Sequence, residues 1–295
     1  MSQSFTFRAL AEKPSKGWNL ETTSVTRVRP ARRWNGIHLR ELWDYRELLD
    51  ALIRRDLTVR YKQTLVGVLW VLGQPLLTMI VLSYLLTRIA GEAQGGVPYP
   101  IFVYAALVPW AYFSHALTKV TVCFVDQWEL VARVYIPRLL IPLGTSLAAM
   151  VDFGVAFLAV PVIMIFYRVA PTWRLLALPA VIVLLLAATL GIGLWLATFN
   201  AEYRDIAFAL PFLLQIGLFV SPMFYSSDLI PMPWRVLYAL NPMVGVVEGM
   251  RWSLLNSQLA EPLTIFAASV FSVSVILGSG LYVFQRREPN LADVI

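Results

Sequence analysis

Six long apolar stretches, each almost free of charge, divide this chain. Between Lys62 and Arg88 there is no Asp, Glu, Lys, Arg or His. At a rise of ~1.5 Å per residue, about 25 residues make roughly 37 Å of helix, against ~30 Å of bilayer hydrocarbon. Windows of the same kind cover 93–118, 139–167, 175–201, 206–227 and 262–285, with Asp152 the single charge inside the third stretch. The pattern predicts an all-α integral membrane protein with six transmembrane helices, over about 63–87, 97–121, 139–167, 175–199, 206–226 and 262–285.

Other segments follow a different rhythm. Over 41–55, Leu42, Tyr45, Leu49, Leu52 and Ile53 fall on one helical side and Glu47, Asp50 and Arg54 on the other. That predicts an amphipathic interface helix along the membrane face, continued by a basic junction to residue 62. Residues 1–40 are polar, basic and Pro-containing, and read as a cytoplasmic extension; 288–295 form a short tail. Between the fifth and sixth stretches, Met232–Leu240 and Met243–Leu255 are too short to span and too apolar for a solvated loop. Broken by Asn241-Pro242, they predict short re-entrant helices within a region 227–258, with Glu248 and Arg251 spaced i, i+3 to pair.

Charge then sets the orientation. Nineteen Lys and Arg fall in segments that share a side with the N-terminus, against five (Arg88, Arg168, Arg174, Arg235 and Arg251) on the other. Basic residues collect on the cytoplasmic side, so both termini are placed inside and the chain in the cytoplasmic (inner) membrane as a multi-pass protein. Composition agrees: 58% hydrophobic and 14% charged residues, where soluble domains carry ~25% charge. The net charge of +6 gathers beside lipid head groups, which predicts contact with membrane lipids and no nucleic-acid partner. Residues 1–40 lack an apolar signal-peptide core, so insertion is expected to rely on the first span.

Catalytic patterns are missing. There is no H-E-x-x-H, G-x-S-x-G, His cluster or Asp-rich diphosphate motif, and one cysteine, Cys123, leaves no Cys-based metal site. A G-x-x-x-x-G-K-[ST] phosphate loop is also absent, so no catalytic, metal or cofactor residues are assigned to this chain. Asp152 has two readings: a polar contact lining a pathway, or a hydrogen-bonded helix–helix contact with Ser146, Thr145 or a neighbouring span.

The segments RRDLTVRYKQTLVGVLWVLGQPLL, VPYPIFVYAALVPWAYFSHAL, LVARVYIPRLLIPL, NAEYRDIAFALPFLLQIGLFVSPMFY, LNPMVGVVEGMRWSLL and FQRREPNLADVI together resemble the transmembrane subunit of type-two ABC exporters for cell-surface polysaccharides, the Wzm-like permeases. The resemblance covers about Tyr45 to Ile295. It implies a homodimer of six-span subunits with two copies of a separate ABC ATP-binding subunit, which would carry the ATP and Mg. It implies export of an undecaprenyl-diphosphate-linked glycan of O-antigen, capsule or teichoic acid type through a pore at the dimer interface. The loop 126–138 matches the family's coupling helix, which assigns Asp126, Trp128, Glu129, Arg133, Tyr135 and Arg138 to contact with the partner ATPase.

A pore for a hydrated polymer calls for aromatic faces that stack on sugar rings, and Tyr104, Trp110, Phe113 and Tyr225 are the candidates, with Asp152. Arg54, Arg55, Arg60 and Lys62 sit where the interface helix meets the first span, and are candidates for docking the lipid diphosphate; orientation and anionic-lipid contact is the other reading. Two other functions remain open: a type-two ABC exporter of a drug or small molecule, and a polytopic glycosyl- or acyltransferase, which would need an acidic or His cluster.

Overall fold

The computed structural model describes residues 43–62, 65–90, 93–94, 97–133, 136–231, 234–257 and 262–290. The expected extension, 1–40, lies outside the described residues, as do 291–295 of the tail. Helix α1 covers Arg46–Tyr61 and α2 covers Leu65–Ala90; a small antiparallel hairpin, β1 (Ala93–Gln94) with β2 (Val97–Pro98), leads into α3 (Tyr99–Asp126). Then come α4 (Trp128–Arg133), α5 (Leu140–Phe157), α6 (Ala159–Phe166), α7 (Leu178–Glu202) and α8 (Asp205–Val220). Two short helices, α9 (Trp234–Tyr238) and α10 (Pro242–Leu255), precede α11 (Pro262–Arg287).

Among the described residues, four helical stretches are long and apolar enough to cross a membrane: Tyr99–Asp126, Leu140–Phe166, Trp173–Glu202 and Pro262–Arg287. Leu69–Leu85 and Asp205–Val220 are shorter apolar helices among the described residues. The chain is a helical, multi-pass membrane protein.

Local chemistry explains where the helices stop. The third stretch is interrupted at Leu158 between α5 and α6, three residues before Pro161, which has no N–H for the Phe157 carbonyl. It ends on Arg168, which takes a left-handed φ of 55° so that the Val169 N–H reaches the Met164 carbonyl at 2.9 Å. Ser221 and Pro222 end α8 at Val220, short of the expected 226. Inside the helices, Thr121, Thr145, Thr189 and Thr198 donate to the carbonyl four residues back, which satisfies these four hydroxyls in the apolar interior.

Helix α3 is the axis of the fold. Of its apolar window 78% is buried, against 22% for α11. Around it α5 runs antiparallel: Tyr104 donates to the Ala156 carbonyl at 2.9 Å and Tyr112 bonds Ser146 at 2.9 Å further back. Helices α7 and α11 run in the same direction, with Gly191 against Gly280 and Glu202 against Arg287.

Helix α1 is packed lengthwise on α5. Leu49 and Leu52 fill the notch at Gly144, where an added Cβ would stand 3.4 Å from the Leu52 Cβ. An equal step further along both helices, Arg60 and Tyr61 reach Asp152.

Candidate functional site

The junction between α1 and the bundle holds a cluster of charge. Arg60 Nη1 and the Tyr61 hydroxyl both donate to the Asp152 carboxylate. His115 Nε2, on α3, stands 3.9 Å from the same carboxylate. The Asp152 side chain is 13% exposed and that of Arg60 25%, so the pair is partly open to its surroundings. Burial, then the Asp152 hydrogen bond and charge, push the Tyr61 phenol up to about 12, and it remains a donor at physiological pH. Asp152 is thus held by α1 and not by Ser146 or Thr145. Ser146 is engaged by Tyr112, and Thr145 donates to the Ile141 carbonyl.

The other candidates for diphosphate docking are placed apart from this cluster. Arg54 pairs with Asp50 at 2.7 Å and Arg55 with Asp56 at 3.3 Å, both on α1. Lys62 follows the helix end and is exposed.

A second group sits at the α3–α5 connection. Asp126 and Glu129 are exposed and Trp128 is 47% exposed. Val131 turns inward and Leu130 packs with it, on a cluster that includes Phe124 and Phe284. The apolar residues of this loop are therefore divided between an exposed side, with Trp128, and the chain's own interior, with Leu130 and Val131. Arg138 Nη1 donates to the Glu288 carbonyl, which fastens the turn after α11 to the connection. Tyr135 and the side chain of Arg133 lie outside the described residues.

The third group lies between α8 and α11. Asn241 caps α10 by accepting from the Met243 N–H at 3.0 Å, with Pro242 in the first turn. The helix ends on Asn256 at φ 54°. Its Arg251 is 0% exposed and its Glu248 1%, and they lie 3.5 Å apart. Arg251 donates to the carbonyls of Phe102 (3.2 Å), Tyr225 (3.1 Å) and Met223 (2.9 Å), and its guanidinium lies 3.5 Å from the Phe102 ring centroid. Glu248 accepts the Ser227 N–H at 2.9 Å. Each charge is thus met by several polar groups, the condition under which burial is tolerated. Nearby, Arg235 pairs with Asp228 at 3.2 Å and the Tyr225 and Tyr238 hydroxyls bond at 2.9 Å.

Three of the aromatic candidates are enclosed by the chain itself. Tyr104, Trp110 and Phe113 are 0%, 8% and 6% exposed, because α3 is enclosed by its neighbours. Within one chain these rings are core, and Tyr225 belongs to the α8–α10 connection. Open aromatic faces occur on α2, with Trp70 and Tyr84, and on α8, with Phe208, Phe212 and Phe219. Among the described residues no group of three or more His, Cys, Asp or Glu side chains is placed to hold a metal.

Comparison with known proteins gives these features a setting. The ABC-2 type transporter family matches residues 47–255. The O-antigen export system permease protein RfbA of Myxococcus xanthus is 28% identical over 260 residues, covering 87% of this chain and 98% of that protein. RfbA of Klebsiella pneumoniae is 26% identical over 256 residues, 84% of this chain and 95% of its own. The polysialic acid transport protein KpsM of Escherichia coli is 21% identical over 254 residues, 81% of this chain and 93% of its own. The matched stretch takes in α1, the α3–α5 connection and α10, so the chain belongs to the ABC-2 type transporter family as a permease homologous to polysaccharide export permeases.

Proposed function

We propose that this chain is the membrane-spanning subunit of an ATP-driven exporter that moves a lipid-linked, O-antigen-like polysaccharide across the cytoplasmic membrane. The observation that carries the reading is similarity along nearly the whole length of a relative named as an O-antigen export permease. Two chains form the pore, and two copies of a separate ATP-binding subunit supply hydrolysis. Six spans with both termini inside fit the directions of the helices: α7 and α11 run the same way, as they must with one crossing between them.

The geometry supports a division of labour. Helix α8 leaves Phe208, Phe212, Leu213 and Phe219 more than half exposed, and α2 does the same with Trp70, Leu77 and Tyr84. A second chain set against these faces would bury them, and their aromatic edges would suit sugar rings sliding past. The α4 segment meets the ATPase through Asp126, Trp128, Glu129, Arg133, Tyr135 and Arg138. A push there would pass directly to the base of α5 and, through Arg138, to the end of α11. Arg54, Arg55 and Lys62 dock the lipid diphosphate, while Arg60 is held by Asp152.

The decisive experiment purifies the chain from its native membrane, asks whether an ATPase subunit accompanies it, and deletes the gene to look for surface glycan. A copurifying ATPase with loss of glycan is the expected result. A partner without glycan loss would replace the polysaccharide by a small molecule, and no partner would sink the exporter reading. Replacing Arg54, Arg55 and Lys62 together by Gln tests the docking role without disturbing Asp152. Insertion should persist and export fail; normal export would remove these residues from the substrate path.

A further inference from the structure

The groove between the ends of α7 and α11 belongs to none of the groups above. These helices touch where a Cβ on Gly280 would stand 2.5 Å from the Gly191 carbonyl oxygen. Beyond that crossing lies a cleft of about 550 Å³, with Trp195, Phe199 and Glu202 on one wall and Tyr282, Val283, Arg286 and Arg287 on the other.

The walls are firmly set. Trp195 and Phe199, one turn apart, stack with centroids 5.5 Å apart and planes at 19°. The Trp195 indole donates to Ser279 Oγ at 3.1 Å. Arg287 covers the Phe199 ring at 4.6 Å while pairing with Glu202, so its charge is met within the cleft. Arg286 is different: it is exposed, and among the described residues no acid pairs with it.

The α11 surface that leads to Arg286 is apolar and open. Phe271, Val275 and Tyr282 are 65%, 53% and 48% exposed. With Arg286 they fall on one helical stripe. Gly278, along the same stretch, has nothing within 4 Å of an added Cβ. An exposed apolar stripe ending in an aromatic shelf and a cation that no acid among the described residues meets has the polarity of an amphiphile. Basic pockets between membrane helices suit anionic head groups, and Trp and Tyr sit at the same level. A sugar would also suit the shelf, but it would leave the stripe bare, and Glu202 is already held.

We infer that this cleft seats an anionic phospholipid, its phosphate on Arg286 and its acyl chain along Phe271, Val275 and Tyr282. The full-length chain in mild detergent, titrated with phosphatidylglycerol or phosphatidylcholine, tests this by native mass spectrometry. Wild type should retain phosphatidylglycerol preferentially. Arg286→Gln should weaken that retention about five-fold, the weight of one cation beside an anionic lipid, and Arg286→Lys should keep most of it. Val275→Asp, also at an exposed position, should lower retention without touching the arginine. Excess inorganic phosphate should leave the bound lipid in place. Equal retention of the two lipids, an unchanged Arg286→Gln or Val275→Asp protein, or displacement by phosphate alone would overturn the assignment.

Discussion

Two of the ion pairs among the described residues are built to opposite plans. Arg251 and Glu248 are one turn apart on α10, 0% and 1% exposed, with three carbonyls and one N–H completing their hydrogen bonds. Arg60 and Asp152 are separated by 91 intervening residues, lie on different elements, and keep 25% and 13% of their side-chain surface. The first pair carries its own partner and draws the chain around it: α3, the segment after α8 and α10 meet at one guanidinium. The second joins two elements that also pack through Leu49, Leu52 and Gly144, and leaves one side open. A sealed pair acts as a fastener. A half-open pair between separate elements is a joint that motion of α1 could break.

The strongest test of this contrast is removal of Arg251. Arg251→Ala leaves the Glu248 carboxylate buried and uncompensated and three carbonyls without a donor, a loss of about 3–5 kcal/mol. Thermal unfolding in detergent should show a large drop in midpoint or no recoverable folded protein. Arg251→Lys should fall nearly as far, because one ammonium lacks the planar fork that reaches several acceptors. Replacing Arg251 and Glu248 together by Met should recover part of the loss, since no charge is then stranded. A well-folded Arg251→Ala protein would end the comparison.

The packing around α10 sharpens it from another side. A Cβ at Gly245 would overlap the Ser269 side chain, whose hydroxyl is engaged by the Ala239 carbonyl. Gly245→Ala should therefore cost about 1–3 kcal/mol through overpacking. At Gly278 the same change meets open space, and should stabilise the helix by about 0.5–1 kcal/mol. The two melts, read side by side, measure how tightly α10 is gripped compared with an outward face of α11. Equal effects would mean that α10 has room to shift.

The half-open joint should show a smaller, different signature. In a double-mutant cycle, Arg60→Gln and Asp152→Asn should couple by about 1–2 kcal/mol, the range of a charge-assisted hydrogen bond that water can partly replace. Either single variant should remain folded, because Arg60 can turn toward solvent. A coupling as large as that of Arg251 with Glu248 would make both pairs fasteners.

How much of this was readable in the chain depends on where the partners lie. The Asn241-Pro242 break, the cap it supplies and the i, i+3 pairing of Glu248 with Arg251 are local, and residue spacing carries them. The acceptors for Arg251 come from Phe102, Met223 and Tyr225, backbone groups that no side-chain pattern marks. Asp152 stood out as a lone acid in an apolar window, and that was the signal. Its partner did not, since Arg60 resembled every other cation at the basic junction. Tyr104 and Trp110 show a second limit with a physical cause. Hydropathy distinguishes apolar from polar, but lipid, protein and pore all accept an aromatic ring; the burial of these two within one chain comes from the neighbours of α3, which hydropathy does not mark.

A third ion pair marks the end of the scale. Arg54 and Asp50 are four residues apart on α1 with a 2.7 Å contact, shorter than the sealed pair, yet their side chains are 78% and 58% exposed. In water such a pair gains ~1 kcal/mol of Coulomb energy, and salt screening and the ordering of two long side chains offset most of it. Asp50→Asn should therefore change stability by less than about 0.5 kcal/mol, within the scatter of repeated melts. The same variant releases Arg54, one of the proposed diphosphate contacts, so export should hold or rise while the melting curve stays put. A clear loss of stability would show that α1 depends on its outward charges as well as on Leu49, Leu52 and Arg60. Contact distance would then rank these three pairs better than burial does.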